Sequence, residues 1–130
     1  MLIPPYAGFY MLRTEVEEEA RTAHMYTDAA LANRITTKAA VWSVNLGGAR
    51  NVLRACQEKG VGRLVYVSSA SAVYEGRDIE GGDETLPYSR ISQAPYADSK
   101  IAAEKALLAA NGQRGVRICA IRPHVVFGPG

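Results

Sequence analysis

Cysteine is scarce in this sequence, charge of one sign is nearly balanced, and long apolar runs are missing. Cys56 and Cys119 are its two thiols in 130 residues, and they form neither a Cys-x-x-Cys nor a Cys/His spacing. That excludes a disulfide framework or a zinc module and predicts two reduced thiols buried in apolar stretches. Fifteen Lys and Arg against thirteen Asp and Glu leave a formal charge of +2 with no basic cluster. Such a balance is too mild for a nucleic-acid footprint, so no nucleic-acid partner is expected. No run reaches the roughly eighteen apolar residues of a membrane span. The start, Met1-Leu2-Ile3-Pro4-Pro5-Tyr6, lacks the basic, apolar and small-residue order of a secretory leader. The expectation is a soluble cytoplasmic chain without a transmembrane segment. No internal repeat or low-complexity tract is present.

With 48% apolar and 22% charged residues, the composition is that of an ordinary globular protein, one domain or part of one. Residues 1–43 read differently from 44–130. After the turn-forming Pro4-Pro5, the stretch 10–34 has no Gly or Pro and carries Glu15, Glu17, Glu18 and Glu19. This predicts one or two helices in an N-terminal segment that is helical or irregular, with the acidic run on a solvated face.

From Val44 onward the pattern sharpens. Leu46, Ala49, Val52, Leu53 and Cys56 recur at helical spacing and stop at Lys59-Gly60, a basic last turn and a C-terminal cap. Leu64-Val65-Tyr66-Val67 follows as a short apolar run without alternation, which predicts a strand buried on both faces. A long loop then extends over 73–95, a helix runs over 96–110 to Asn111-Gly112, and Val116-Arg117-Ile118-Cys119-Ala120-Ile121 gives another strand. Helix, strand, loop, helix, strand implies parallel strands joined by crossovers, the repeating unit of an open α/β sheet. Ligands of such sheets bind beyond the carboxyl ends of the strands. The serines after Val67 and the Arg122-Pro123-His124 segment after Ile121 occupy those ends.

Tyr96 and Lys100 lie four residues apart in Pro95-Tyr96-Ala97-Asp98-Ser99-Lys100, which puts a phenol and an ammonium on one helical face. A phenol ionises near pH 10, and using it as acid or base near neutrality requires roughly 3 to 4 kcal/mol of phenolate stabilisation, which a neighbouring cation can provide. Ser69 precedes Tyr96 at the end of the first strand, where its hydroxyl could orient a substrate oxygen beside the phenol. Taken singly, each feature also fits a plainer role: a surface helix turn for the Tyr-Lys pair, a turn or helix cap for Ser68, Ser69 and Ser71.

Four segments together resemble the extended short-chain dehydrogenases, in particular the 3β-hydroxysteroid dehydrogenase and sterol-4α-carboxylate 3-dehydrogenase branch. They are Val44-Asn45-Leu46-Gly47-Gly48-Ala49-Arg50-Asn51-Val52-Leu53, the stretch 64–74 with its double serine, 95–100, and Arg122-Pro123-His124-Val125-Val126-Phe127-Gly128-Pro129-Gly130. Glu75-Gly76-Arg77-Asp78-Ile79 and Asp83-Glu84-Thr85-Leu86-Pro87-Tyr88 look like the sterol branch. The resemblance implies an NAD- or NADP-dependent oxidoreductase acting at a secondary alcohol or ketone of a steroid or sterol-like molecule. It implies Tyr96 as general acid or base, Lys100 as the ribose ligand that depresses the phenol's pKa, and Ser69 as donor to the substrate oxygen. Asn45, Val67, Ser68, Pro123 and His124 would lie along the cofactor, beside Tyr96 and Lys100. His124 is not implied as a base. The family commonly has Thr where Ala49 stands.

The glycine-rich turn that holds a dinucleotide pyrophosphate in that family has no counterpart in this sequence. Gly8 stands alone, and Gly47-Gly48 lie inside a helical segment. The expected architecture is therefore a partial Rossmann-type doubly wound parallel sheet lacking the N-terminal βαβ unit, with residues 44–130 as the central part of a nucleotide-binding domain. Val65, Val67, Ile118 and Ile121 would be partly uncovered, so an oligomer or a complementary segment is expected. Two other functions share the motifs: a nucleotide-sugar epimerase or dehydratase of the same superfamily, and a non-catalytic remnant or interaction module.

Overall fold

The computed structural model describes residues 13–17, 20–25, 37–91 and 94–124. Among these, four strands, β1 (Arg13–Glu17), β2 (Ala20–Met25), β3 (Arg63–Val67) and β4 (Arg117–Ile121), form one sheet in that spatial order. β1 and β2 are antiparallel, whereas β2, β3 and β4 run parallel. Leu64 stands opposite Ile118 and Tyr66 opposite Ala120, a register without slip across the two strands that end at the site.

Between β2 and β3 the chain forms one long helix in three parts: α1 (Lys38–Trp42), a π-helical turn (Ser43–Gly47) and α2 (Gly48–Lys59). Thr37 starts it, its hydroxyl accepting from the Ala40 amide at 3.2 Å. Gly60 ends it in the left-handed region at φ 67°, a conformation that costs an L side chain roughly 1 to 2 kcal/mol. Between β3 and β4, α3 (Pro95–Ala109) supplies the second crossover, with Pro95 in its first turn, where a missing amide proton costs nothing.

α2 and α3 pack on the same face of the sheet. Ala49, Val52 and Cys56 of α2 and Ala103 and Leu107 of α3 meet Leu64, Tyr66 and Ile118 in a single apolar cluster, with Val61, Ala110 and Val116 at its ends. Burial alternates along the strands in consequence. Leu64 and Tyr66 are buried and Val65 and Val67 half-buried, while on β4 Ile118 is buried and Cys119 and Ile121 are exposed.

Several expectations change here. The strand 64–67 reads as covered on both faces, yet among the described residues the helices cover one. Ile118 belongs to that covered face and is 7% exposed, while Ile121 on the other is 49% exposed. For the same reason the thiols differ: Cys56 is buried, and Cys119 is exposed. Within 10–34 the described parts are strands, not helices. Arg13-Thr14-Glu15-Val16-Glu17 alternates charged with β-branched residues, and its pairing with β2, itself paired with β3, outweighs the helix propensity of Glu15 and Glu17. The helix read from Val44 begins six residues earlier, at Lys38, because its first part is Ala-rich without a clear stripe. Pro4-Pro5, the remainder of 10–34 and the segment 125–130 lie outside the described residues. No described helix is long and apolar enough to cross a membrane.

Candidate active site

β3 and β4 end side by side, and their carboxyl ends are sewn together past the last ladder bond. The Ser68 amide donates to the Ile121 carbonyl at 2.7 Å, and the Ala70 amide donates to the Pro123 carbonyl at 3.0 Å. Ser69 lies between these two bonds, in extended backbone, at the start of a short 3₁₀ turn (Ala70–Ala72). Its side chain caps that turn, with Oγ accepting from the Ser71 amide at 3.2 Å and from the Ser71 hydroxyl at 2.9 Å. A hydroxyl has two acceptor positions and one proton to give. With both acceptor positions taken by Ser71, the Ser69 proton is left to point outward, on the side from which this hydroxyl acts to lower the pKa of the Tyr96 phenol.

Tyr96 is half-buried in the first turn of α3. Burial pushes its phenol above the ordinary value near 10, and the Ser69 hydrogen bond acts against that without cancelling it. This direction is opposite to the depression implied by the family resemblance. Lys100 follows one turn on, without exposed surface. Its Nζ donates to the Val67 carbonyl at 2.6 Å and lies 4.6 Å from the centre of the Tyr66 ring. Desolvation lowers the ammonium's pKa to about 8, with the Glu104 carboxylate pulling the other way. A ribose contact would have to share that ammonium with the Val67 carbonyl.

Asn45 reaches the site from the π-helical turn. It is buried, its Nδ2 donates to Ser99 Oγ at 2.9 Å, and Ser99 Oγ donates to the Tyr96 carbonyl at 2.8 Å. It braces the turn that carries Tyr96. The Ser68 side chain is turned away from Ser69 and donates to Glu104. Pro123 contributes its carbonyl to the seam, and His124 is exposed beside it. A cavity of about 560 Å³ opens there, lined by Ser69, Ser71, Tyr74, Asp78, Ile79 and His124.

Sequence reasoning passes over one residue at this site, Glu104. It is 1% exposed on α3 and accepts from Ser68 of the β3 end, from the Tyr88 hydroxyl of the long loop at 3.1 Å, and from Arg122 of the β4 end, Nη2 at 2.7 Å and Nε at 3.0 Å. Burial alone would raise its pKa, but the Arg122 and Ser68 hydrogen bonds and the Arg122 charge outweigh that and hold the carboxyl below its usual range. The signal available in the sequence is its spacing, four residues after Lys100 and eight after Tyr96, which places all three along one face.

Three parallel strands of an α/β sheet with a Ser, a Tyr and a Lys at their carboxyl edge define a Rossmann-type domain of the short-chain dehydrogenase class. Comparison with known proteins agrees. Residues 12–130 match the model of the 3-beta hydroxysteroid dehydrogenase/isomerase family, and the chain belongs to that family. It is 48% identical over 89 residues to a Mycobacterium tuberculosis 3 beta-hydroxysteroid dehydrogenase/Delta 5-->4-isomerase, covering 68% of this chain and 24% of that protein. It is 44% identical, again over 89 residues and with the same shares, to the Homo sapiens sterol-4-alpha-carboxylate 3-dehydrogenase, decarboxylating. Among solved structures, RMD from Pseudomonas aeruginosa complexed with NADPH superposes with a TM-score of 0.63 at 31% identity, over 81% of this chain and 36% of that one. The chain therefore spans about a quarter of the length of these curated relatives.

Proposed function

We propose that this chain carries the proton-transfer half of an NAD(P)-dependent oxidoreductase acting on the secondary alcohol or ketone of a sterol-like molecule in the cytoplasm. The observation that carries the reading is the convergence at one sheet edge of Ser69, which lines a cavity at the end of β3, with Tyr96 in the first turn of α3 and Lys100 one turn further along the same helix. The donor set suits the nicotinamide and ribose end of the cofactor: neutral hydroxyls, one ammonium, and strand ends with main-chain groups nearby. A bound nicotinamide supplies the hydride donor or acceptor.

The chain's own residues handle the proton. In the reducing direction the phenol, held neutral by burial, is ready to give its proton to a carbonyl oxygen toward which the single Ser69 proton turns from the phenol. In the oxidising direction Tyr96 must receive the alcohol proton, which requires the phenolate, and a positive charge brought near its oxygen favours that form. Ser71 fixes the direction of the Ser69 proton, and Asn45 fixes the turn bearing Tyr96.

A nucleotide-sugar epimerase or dehydratase would use the same three side chains; the family match over residues 12–130 favours the steroid class. Titration calorimetry of NAD(H) and NADP(H) against the full chain tests the cofactor part of the reading. Absence of binding at millimolar concentration would favour a non-catalytic remnant. With binding established, Tyr96→Phe is expected to lower sterol-alcohol oxidation by roughly 10²- to 10⁴-fold while cofactor affinity stays nearly unchanged. Retained turnover would remove Tyr96 from the reaction.

A further inference from the structure

Glu104 touches neither the cavity beside Ser69 nor Tyr96, yet it is the most heavily bonded side chain near the site. Its carboxylate receives donors from three separate parts of the chain: Ser68 at the end of β3, Arg122 at the end of β4, and Tyr88 of the loop. Ser68 is the neighbour of Ser69 and donates its amide to Ile121; Arg122 lies between Ile121 and Pro123, whose carbonyl receives the Ala70 amide. Both sides of the seam that holds Ser69 are thus tied to one oxygen pair on α3, and α3 also carries Tyr96 and Lys100. The Arg122 guanidinium adds a second layer of restraint by stacking 5.0 Å from the centre of the Tyr88 ring, with the Lys105 ammonium 4.7 Å from the same ring.

We propose that Glu104 is a positioning residue for Ser69: by holding Ser68 and Arg122 to the helix that carries Tyr96, it sets where the Ser69 hydroxyl stands relative to the Tyr96 phenol. This rests on the reading of Ser69 and Tyr96 as the proton-transfer pair. A buried carboxylate that only stabilised the fold would act on Ser69 and on distant parts of the core alike. A positioning residue acts through Ser69 and has no further effect once Ser69 is gone.

The test is a double-mutant cycle on the full chain with two readouts. The first needs no turnover: the titration of Tyr96 followed by NMR with labelled tyrosine, assigned with Tyr96→Phe. Ser69→Ala removes a donor that favours the phenolate and moves the titration upward. Glu104→Gln is expected to move it upward too, and the double variant no further than Ser69→Ala alone. A direct effect of removing the Glu104 charge has the opposite sign, since losing a nearby anion eases ionisation. An unchanged or lowered titration in Glu104→Gln, or full addition of the two shifts, would overturn the proposal. If Glu104→Gln does not fold, Ser68→Ala and Tyr88→Phe each remove one donor to the carboxylate. Smaller, non-additive upward shifts support the proposal, and no shift in either overturns it.

The second readout is sterol-alcohol oxidation, where Glu104→Gln is expected to lower kcat by about tenfold to a hundredfold with the cofactor KM within about threefold. In the Ser69→Ala background it should lower kcat no further; an equal additional loss there would overturn the proposal. A wild-type chain that binds no nicotinamide cofactor would end the functional reading, while the titration would still decide whether Glu104 sets Ser69.

Discussion

The ammonium of Lys100 and the carbonyl of Val67 meet across the boundary between α3 and the sheet at 2.6 Å. A charged donor is thereby fixed at the last residue of β3, two residues before Ser69, in a place with no access to water. Enclosing an ammonium in this way has a consequence for stability that can be measured without any substrate.

Lys100 holds its proton more weakly in the folded chain, with a pKa of about 8, than the 10.5 of an ordinary lysine. Between those values the unfolded chain binds more protons at this position, so the contribution of Lys100 to stability rises with pH from about 8 to 10.5. Tyr96 acts in the opposite sense at higher pH. Its folded proton is held more tightly, so its contribution falls once the unfolded phenol begins to ionise near 10. Urea unfolding of wild type and Lys100→Met at pH 7, 8, 9 and 10 is expected to show wild type gaining relative to the variant between pH 8 and 10. A constant difference would show that the ammonium is not desolvated.

The Glu104–Arg122 pair gives an acid-side prediction. Glu104 is 1% exposed and Arg122 20%, so replacing Arg122 leaves a buried carboxylate with two hydroxyl partners. Breaking a buried pair in this way costs about 3 to 5 kcal/mol, and the partial exposure of Arg122 argues for the lower end. Because the folded carboxyl is held below its ordinary 4.5, the pair's contribution is present above that value and is lost as pH falls through the lower folded value. Arg122→Gln should therefore be about 3 kcal/mol less stable than wild type at pH 7 by chemical denaturation. The gap should narrow as the pH is lowered below 4.5. A gap that does not close in acid would place the cost in packing and not in charge.

Leu107 is 1% exposed at the centre of the cluster joining α2, α3 and the sheet. Leu107→Ala removes buried methyl groups and leaves a cavity, at a cost of about 2 to 5 kcal/mol. Denaturant titration should show a lower midpoint with an unchanged slope. A loss under 1 kcal/mol would mean that α3 collapses onto the gap.

The parts of this architecture that a sequence announces are those with a local signature. β3 and β4 are short apolar runs closed by polar clusters, α2 ends on Lys59-Gly60, and α3 starts at Pro95 and stops near Asn111-Gly112. The parallel order followed from them, and with it the meeting of Ser69 and Tyr96 at one edge. What stays hidden depends on contacts between residues far apart. Glu104 reads as one more charge on an exposed helix until Arg122, eighteen residues later, is known to return beside it. Whether Cys119 is buried depends on which face of β4 receives the helices, and a run without alternation does not say. In 10–34 the acidic residues favour a helix locally, and it is pairing with β1 and β3 that makes Ala20–Met25 a strand.

The π-helical turn at Ser43–Gly47 holds one more residue than an α-helical turn would. Everything upstream of it is rotated by about 100° relative to α2, one residue's worth of helical phase. Excising a single amino acid there would therefore not so much shorten the rod as twist it. α1 would swing off the flank of α3, against which it packs, and the amide of Asn45 would turn out of reach of Ser99. The helix that carries Tyr96 would lose the brace that Asn45 gives it through Ser99.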